Sequence, residues 1–335
     1  MAGELVLLTG GSGHVGYRTL IEALSKGYKV RAAVRSESKI AEIKAAKPTQ
    51  PYLEQLTFTI VPNIENDGAF DEAVQGVDYI VHVASPLARP SDNDEANIIQ
   101  PAIRGTLSIL YSALKQPSVK RVVITSSIVA VNPDSPTGPF TADNVEPDPH
   151  GPYPHVFAAY AASKKLAYNR TREFIAKEKP QFTVVNIMPS FVLGPNELAT
   201  TTDAVLSGSN GAALGVLFGV KNPNGMPAVT VHVDDVAFLH IAALEPKVQG
   251  NRNFGANSDV NGIKWDEAID IVKKHFPTEV GKGVFPLGGS QVSLPFPFDA
   301  SESEKFFGFK FKDFETQIVD IAGYYAKVAA GKAEL

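Results

Sequence analysis

The sequence has no cysteine, and this absence excludes several kinds of chemistry at once. Disulfides, thiolate nucleophiles, zinc sites with cysteine ligands and iron–sulfur clusters all require cysteine. Histidine is also scarce, because the chain has only 7, and no two have the H-x-x-x-H spacing that places two imidazoles on one helix face. We therefore expect no bound metal.

The chain also lacks an excess of basic charge and a long apolar run. Its formal net charge is −5, which gives no electrostatic basis for binding nucleic acid or an anionic membrane. No stretch reaches the roughly 18 consecutive apolar residues of a membrane-spanning helix, and the first residues lack the regions of a secretory signal. These absences predict a cytoplasmic protein that binds neither nucleic acid nor membranes.

The first part of the chain alternates short apolar runs with helical patterns. The runs rich in β-branched residues are 5–8, 28–34, 56–61, 79–83, 121–125 and 182–188. Helical patterns separate them at 14–26, 38–46, 96–114 and 158–179. Strands that are apolar on both faces belong to parallel sheets covered by helices on each side. The pattern therefore predicts an α/β fold with a Rossmann-type doubly wound parallel sheet.

After residue 188 the pattern changes, and proline, glycine, asparagine and serine become frequent. A strand–helix unit at 228–244 and helices near 265–275 and 314–328 are the regular elements predicted there. A chain of 335 residues corresponds to about two domains. We predict an NADP-binding Rossmann domain over 1–189, with a contribution from about 228–250, and a smaller, irregular C-terminal substrate-binding lobe over 190–227 and 251–335.

A glycine-rich loop follows the first predicted strand and precedes the first predicted helix, with the pattern G-x-x-G-x-x-G. Gly10 permits a tight turn, Gly13 lets the backbone approach a pyrophosphate, and Gly16 lets helix and strand pack closely. The first N–H groups of the helix then face the phosphates. An ordinary turn is the alternative, but the strand–turn–helix context favours a dinucleotide site. The residues assigned to it are Thr9, Gly10, Ser12, Gly13, His14, Val15 and Gly16.

The end of the second predicted strand bears on the choice between NAD and NADP. An acidic residue there would hold the ribose 2′-hydroxyl of NAD, whereas an arginine accepts the 2′-phosphate of NADP. The strand end has no acid and offers Arg35, Ser36 and Lys39, and a guanidinium with a hydroxyl suits a phosphate dianion. A solvated basic turn is the alternative. We predict NADPH/NADP+ as the cofactor.

Tyr160 and Lys164 open the long helical pattern at 158–179 with a spacing that places both on one helix face. A free tyrosine has a pKa near 10, and a neighbouring ammonium together with the positive nicotinamide ring is expected to bring that pKa toward the working range. Upstream, Thr125, Ser126 and Ser127 place hydroxyls at the end of a buried strand, where open α/β sheets bind ligands. A Tyr-x-x-x-Lys pair alone arises often by chance on amphipathic helices. Its combination with these hydroxyls and a dinucleotide loop favours catalysis.

These motifs together resemble the extended short-chain dehydrogenase/reductases, in particular the branch with dihydroflavonol reductase, cinnamoyl-CoA reductase and fungal and yeast NADPH-dependent aldehyde and ketone reductases. The resemblance spans nearly the whole chain. Its carriers are the loop 9–16 and the segments 30–35, 68–74, 82–86, 101–106, 125–127, 160–164 and 232–237.

The resemblance implies a role for each matched residue. Ser127 would hydrogen-bond the substrate carbonyl oxygen, Tyr160 would protonate it, and Lys164 would lower the pKa of Tyr160 and bind the nicotinamide ribose. Other matched positions would contact the cofactor. They are Asn63 and Ile64 near the adenine, Val83, Ala84 and Ser85 after the fourth strand, Thr125 after the fifth, and Pro189, Ser190, Phe191 and Val192 at the nicotinamide end.

Two positions depart from the family pattern. Asn63 stands where relatives commonly carry an acid that touches the adenine, so adenine binding should weaken rather than fail. Ala102 stands where many members have an asparagine that holds a water relay, which puts such a relay in doubt.

Several residues have both a functional and a structural interpretation. His155 and Phe157 precede Tyr160 and could line the substrate entrance. The candidates for an apolar substrate wall are Pro86, Leu87, Phe157, Phe191 and Phe218, with plain core packing as the alternative. Asp234 and Asp235 look catalytic in isolation, but helix capping and docking of the lobe are the favoured interpretation. His232 and Trp265 are expected to be structural.

The sequence thus predicts an NADPH-dependent carbonyl reductase that acts on a small-molecule aldehyde or ketone, apolar or aromatic, as a monomer or homodimer. An epimerase/dehydratase or hydroxysteroid dehydrogenase of the same superfamily is one alternative, although an NAD-retaining epimerase would need an acid after the second strand. A non-catalytic NADP-sensing regulator is another, but it has no need of Ser127, Tyr160 and Lys164 together.

Overall fold

The computed structural model describes residues 3–86, 90–133 and 138–331. Its strands are β1 Leu5–Thr9, β2 Lys29–Val34, β3 Leu56–Ile60, β4 Tyr79–His82, β5 Arg121–Thr125, β6 Thr183–Pro189, β7 Phe191–Leu193, β8 Lys221–Pro227, β9 Thr230–His232, β10 Arg252–Ala256 and β11 Ser290–Leu294. Its α-helices are α1 His14–Ser25, α2 Glu37–Ala45, α3 Gln100–Leu114, α4 Val156–Glu178, α5 Thr202–Val205, α6 Gly208–Leu214, α7 Val233–Ala242, α8 Glu267–His275, α9 Pro277–Gly281, α10 Ser301–Phe307 and α11 Phe314–Ala329. None of the helices in these ranges is long and apolar enough to cross a membrane.

Seven strands form one parallel sheet in the order β10-β6-β5-β4-β1-β2-β3. The strand order reverses at β1, which pairs with β2 on one side and with β4 on the other. In open α/β sheets, ligands bind at the carboxyl ends of the strands beside such a reversal. This arrangement confirms the predicted Rossmann-type fold and places the ends of β1, β4, β5 and β6 along one edge.

The central strands are buried on both faces, which explains their continuous apolar sequences. Val6 and Leu8 of β1 pack in one apolar cluster with α1 and α7, whereas Leu7 packs in a second cluster with α3 and α4. All three side chains are 0% exposed. Successive residues of a strand point to opposite faces, so a strand covered on both sides has no position for a polar residue.

The sequence analysis missed β10, which completes the sheet beside β6. The predicted boundary assigned residues 251–335 to the lobe, but Arg252–Ala256 belongs to the sheet. The polar residues of β10 hid it: Arg252 pairs with Glu302, and Asn253 donates to the hydroxyl of Tyr168 at 2.9 Å. An edge strand has one side free for such polar partners, so it needs no continuous apolar run.

Helices from the last third of the chain pack around a separate apolar cluster. Four of its large members, Leu217, Trp265, Phe285 and Ile318, are 0–1% exposed. The predicted helices near 265–275 and 314–328 are present as α8 and α11. The two-stranded pairs β8–β11 and β7–β9 were not predicted, because β8 is rich in residues typical of turns and because β7 and β9 have only three residues each.

Candidate active site

The glycine loop lies between β1 and α1, and its close backbone packing requires glycine at two positions. Gly10 has φ 77°, and a Cβ there would lie 2.7 Å from the backbone nitrogen of Ala84. A Cβ at Gly16 would lie 2.0 Å from the carbonyl oxygen of Gly10. Since no side chain fits either contact, glycine alone lets the loop, the end of β4 and α1 meet at this edge of the sheet.

The start of α1 fits the pyrophosphate of a dinucleotide. Gly13 precedes the helix without a side-chain capping hydrogen bond, and the first turn carries no acidic residue. The exposed N–H groups and the positive end of the helix dipole are therefore available to an anion. The side chain of His14 points elsewhere: its Nε2 lies 3.1 Å from the carbonyl oxygen of Gly194, and burial lowers its pKa to about 4. Only the backbone of His14 can serve the phosphates.

Two of the three residues predicted to bind a 2′-phosphate are available for that role. Arg35 follows β2 directly, is exposed, and forms no hydrogen bond or ion pair with any residue that the structure describes. The hydroxyl of Ser36 lies 2.9 Å from that of Ser38. Lys39 differs, because its ammonium is ion-paired with Glu42 one turn later. Arg35 therefore carries most of the charge offered to a phosphate here.

Asn63 and Ile64 follow β3 at the place predicted for the adenine. The Asn63 side-chain oxygen accepts the N–H of Glu65 at 2.9 Å, and an amide oxygen retains a second lone pair for another donor. Ile64 packs toward α3, since its Cδ1 lies 3.1 Å from where a Cβ on Gly105 would be. The arrangement leaves one acceptor site on Asn63 for an adenine amine.

Tyr160 and Ser127 meet, although they are far apart in sequence. Ser127 follows β5 and is 7% exposed, and its hydroxyl lies 3.4 Å from the backbone nitrogen of Val129 and 3.5 Å from the carbonyl oxygen of Pro189. Burial raises the pKa of Tyr160, and the neighbouring Ser127 hydroxyl opposes that rise. Without a bound nicotinamide, desolvation of the phenolate outweighs its neighbours, and the decrease expected from the ammonium and the nicotinamide ring together stays a prediction.

Lys164 lies one turn after Tyr160 on α4, with its Nζ 5.7 Å from the centre of the Tyr160 ring. The ammonium donates a hydrogen bond to Ser85 Oγ over 3.0 Å, which ties α4 to the segment after β4. That segment also includes Val83 and Ala84, and the Ala84 N–H donates to the hydroxyl of Thr9 at 3.1 Å. Burial lowers the pKa of Lys164 to about 8. No pattern in the sequence signals the contact with Ser85, which depends on the packing of α4 against this segment.

The sequence analysis also missed His240, whose ring lies behind the catalytic edge of the sheet. Its Nε2 is 2.6 Å from the hydroxyl of Thr125, the last residue of β5. A lone polar residue on an otherwise apolar stretch of α7 was the available signal, and 0% exposure of this histidine shows that it needs internal partners.

The segment after β6 brings an aromatic side chain to Tyr160. Ser190 donates its backbone N–H to Ala256 at 2.9 Å, which joins this segment to β10. The rings of Phe157 and Phe191 are nearly parallel, with centres 6.5 Å apart, and the Phe157 ring lies 6.1 Å from that of Tyr160. Phe157 and Phe191 thus form an aromatic surface beside Tyr160, and their role as a substrate wall stays a prediction.

The other predicted substrate contacts have different surroundings. Phe218 packs against Tyr325 and Phe285 in the C-terminal cluster, with ring centres 4.9 and 6.1 Å away, which favours core packing for this residue. Pro86 lies beside α3, with its Cδ 3.9 Å from where a Cβ on Gly105 would be. Leu87 lies outside the described residues.

The acidic pair at the start of α7 docks the last part of the chain. Asp234 lies 2.5 Å from Arg18 Nε on α1 and 2.6 Å from Lys312 Nζ, and Asp235 accepts the backbone N–H of Lys312 at 2.9 Å. His232 caps α7 by accepting the N–H of Asp234 at 3.0 Å. These contacts agree with the structural interpretation of the three residues. No cluster of potential metal ligands occurs in the described ranges.

Comparison with known proteins agrees with this geometry. The family model described as the NAD dependent epimerase/dehydratase family matches residues 6–255. Ketoreductase CTB6 of Cercospora nicotianae is 38% identical, and the match covers 98% of this chain and 96% of the relative. The putative NADPH-dependent methylglyoxal reductase GRP2 of Candida albicans is 30% identical over 94% of this chain and 96% of its own. The crystal structure of yeast methylglyoxal/isovaleraldehyde reductase Gre2 complexed with NADPH superimposes with a TM-score of 0.81 over 98% of this chain and 99% of that one, at 23% identity.

Proposed function

The chain belongs to the NAD dependent epimerase/dehydratase family, within the extended short-chain dehydrogenase/reductases, and from this membership and the site we propose that it is an NADPH-dependent carbonyl reductase. It is an oxidoreductase that acts on C=O and CH–OH groups. The substrate we propose is an apolar or aromatic aldehyde or ketone.

The juxtaposition of Tyr160 and Ser127 is the observation that carries this proposal. It brings a phenol and a hydroxyl together at the carboxyl edge of the sheet, in the part of the molecule where the glycine loop also lies. A carbonyl oxygen that accepts from both groups would be polarised before it is reduced. Neither group has an evident structural need for the other, since Ser127 already contacts the backbone of Val129.

The chemistry divides between the cofactor and the chain. A bound reduced nicotinamide supplies the hydride that adds to the carbonyl carbon. Tyr160 then donates its phenolic proton to the carbonyl oxygen, and the raised pKa of Tyr160 keeps that proton in place at neutral pH. Ser127 orients the same oxygen and stabilises the alkoxide that develops on it. The Lys164 ammonium adds positive charge below the ring of Tyr160.

The preference for NADPH is supported by the end of β2. The cofactor class is NAD(P), and Arg35 and Ser36 offer a free guanidinium and a hydroxyl where a 2′-phosphate would lie. The relative GRP2 is named NADPH-dependent. The cytoplasmic location and the monomeric or dimeric state expected from the sequence remain predictions.

The aromatic wall supports the proposed substrate class. Phe157 is 39% exposed, unusually open for a phenylalanine, and it lies between Tyr160 and Phe191. An aromatic or aliphatic group bound against these rings would bury apolar surface, which favours such substrates over phosphorylated ones.

A reductase assay tests the proposal and its alternatives. Loss of NADPH or NADH absorbance would be followed with aryl aldehydes, α-diketones and β-keto esters. We expect reduction of several of these compounds, with NADPH preferred. Tight NADPH binding without turnover of any carbonyl compound would instead favour a regulator, and activity only on nucleotide sugars would favour an epimerase or dehydratase.

A further inference from the structure

His240 lies outside the proposed catalytic group, yet its ring is bonded to a residue of the site. Its Nε2 lies 2.6 Å from Thr125 Oγ1, and its Nδ1 lies 2.7 Å from the carbonyl oxygen of Val236, one turn earlier on α7. The ring is completely buried. Thr125 ends β5 two residues before Ser127, so a change at His240 reaches the catalytic edge of the sheet through a single side chain.

The partners of the ring determine the direction of both hydrogen bonds. Burial lowers the pKa of His240 to about 4, so the ring is neutral at neutral pH and carries one N–H. A carbonyl oxygen can only accept, so the hydrogen must be on Nδ1, facing Val236. Nε2 is then an acceptor, and the Thr125 hydroxyl has to donate its only proton to it. Toward any third partner, Thr125 Oγ1 can therefore act only as an acceptor.

Thr125 lines a small cavity together with Lys164. The cavity has a volume of about 10 Å³, close to what one ordered water needs. Two more hydroxyls that line it, those of Thr106 and Thr171, each donate to a carbonyl oxygen four residues earlier in their own helix, at 2.9 Å. All three threonine oxygens around this cavity have thus used their protons and offer only lone pairs.

Lys164 needs such acceptors. An ammonium has three N–H bonds, and the described residues accept one of them, at Ser85 Oγ. No carboxylate of the described chain forms an ion pair with this lysine. The titratable groups facing it are Tyr160 and Tyr168 on its own helix and His82 at the end of β4, and all three are neutral because burial raises the pKa of both phenols and lowers that of His82 to about 3. The segment of α3 at the cavity contributes no charge.

We propose that His240 is a positioning residue for the reductase: by taking the Thr125 proton, it holds Thr125 Oγ1 as the acceptor that keeps the Lys164 ammonium charged through one water in the cavity that both residues line. Without the imidazole, the Thr125 hydroxyl is free to rotate and point its proton toward the cation. The catalytic meaning of this inference rests on the proposed function, whereas the hydrogen bonds themselves can be measured without substrate.

The titration of Lys164 tests the inference directly. NMR of protein labelled with [13C]lysine would follow the Lys164 side-chain signal, identified by its loss in Lys164→Arg, in the protein without cofactor. His240→Leu and Thr125→Val should each lower the pKa of Lys164 by about 1 pH unit, because Thr125→Val removes the acceptor and His240→Leu releases the hydroxyl whose lone pairs His240 holds toward the cation. The double variant should titrate like Thr125→Val alone. Thr19→Val is the matched control, since Thr19 is buried and donates to Val15 at 2.8 Å, on α1 outside the cavity lining.

The double variant separates positioning from a general structural role. The inference would be overturned if the pKa of Lys164 were unchanged in His240→Leu. It would also be overturned if adding His240→Leu to Thr125→Val lowered the pKa of Lys164 by as much again as His240→Leu does alone. His240→Gln, whose amide oxygen can accept from Thr125, should restore most of the wild-type titration. In active protein, the alkaline limb of the pH profile of kcat/KM should move with the Lys164 titration in each variant.

One measurement needs no variant, in case the substitutions prevent folding. In the wild-type protein labelled with [15N]histidine, His240 should show a protonated Nδ1 and an unprotonated Nε2, unchanged between mildly acid and alkaline pH. The opposite tautomer would overturn the inference. If these results hold but no carbonyl compound is reduced, the proposed function fails and the positioning of Thr125 stands. If carbonyl compounds are reduced but the Lys164 titration does not change in the variants, the proposed function stands and the positioning role fails.

Discussion

The Lys164 ammonium donates to Ser85 Oγ over 3.0 Å, and this bond joins the helix that carries Tyr160 to the segment that follows β4. One side of the proposed cofactor site is thereby held against the catalytic helix. The bond also gives the buried cation one of its few polar contacts in the described structure.

This contact gives a prediction about pH. Burial lowers the pKa of Lys164 to about 8, so the ammonium is lost, and kcat/KM should fall, as the pH rises through that value. In Ser85→Ala the ammonium loses an acceptor, and the fall should occur at a pH lower by about 1 unit. Ser118→Ala, which removes a hydroxyl bonded to Val77 elsewhere, should keep the wild-type profile. Identical profiles for all three proteins would contradict the role given to Lys164.

A second prediction concerns cofactor choice. Arg35→Ala should raise the KM for NADPH by about 10- to 100-fold, the loss expected for a charged hydrogen bond to phosphate, and leave the KM for NADH nearly unchanged. Lys39→Ala is the matched control on the same turn, and its effect should be smaller because Lys39 is already paired with Glu42. Steady-state kinetics with both cofactors checks this. Equal losses for NADPH and NADH in Arg35→Ala would refute a contact with the 2′-phosphate.

Ser127 should contribute to the chemical step rather than to binding. Ser127→Ala removes one donor to the developing alkoxide, and kcat should fall by about 100-fold or more. Ser126→Ala should lose much less, because the contact of Ser126 is made by its backbone N–H, which donates to Ile187 at 2.8 Å. Measuring kcat and KM separately decides the matter: an increase in KM with kcat preserved would reduce Ser127 to a binding residue.

The buried histidines predict how stability depends on pH. Burial lowers the pKa of His14 and His240 to about 4 and that of His82 to about 3, from 6.5. Since the unfolded chain takes up these protons first, their stabilisation is complete above pH 6.5 and is lost as the pH falls below it. At about pH 5 each histidine should lower the free energy of unfolding by about 2 kcal/mol.

Denaturant titrations at neutral and acid pH measure this dependence. In His14→Gln the free energy of unfolding should fall less on acidification than in the wild type, by the contribution of one histidine, about 2 kcal/mol at about pH 5. A free energy of unfolding that is constant over this range would mean that the three rings take up their protons at the same pH in the folded protein and in the unfolded chain.

The sheet was predictable from sequence to the extent that its strands are apolar on both faces. Six strands were found in this way, with ends that differ from the observed ones by at most one residue. β10 was missed because Arg252 and Asn253 satisfy their polar groups with Glu302 and Tyr168, partners that come from elsewhere in the chain. Hydrophobic periodicity cannot reveal such long-range partners.

The residues of the site could be predicted where the chemistry requires particular residue types at a particular spacing. Their pKa values and hydrogen-bond partners could not, because these depend on how the elements pack. The helical spacing placed Tyr160 and Lys164 on one face, and the end of β5 placed Ser127 beside them. The rise in the pKa of Tyr160 without bound cofactor depends on how deeply the phenol is buried, which a sequence does not show. The direction of the hydrogen bond from the Thr125 hydroxyl to His240 likewise follows only from the packing of α7 behind β5.

The removal of the Tyr160 hydroxyl is the most direct test of the proposed proton donor. Single-turnover reduction of an aryl aldehyde by Tyr160→Phe, with NADPH affinity measured separately by fluorescence titration, compares chemistry with binding. Tyr324→Phe is the control, since it removes a phenol hydroxyl that donates to Ala199 at 3.1 Å on another helix. We predict that Tyr160→Phe binds NADPH nearly as the wild type does and has lost reduction almost completely, while Tyr324→Phe retains both. Reduction by Tyr160→Phe at a rate close to that of the wild type would contradict the account.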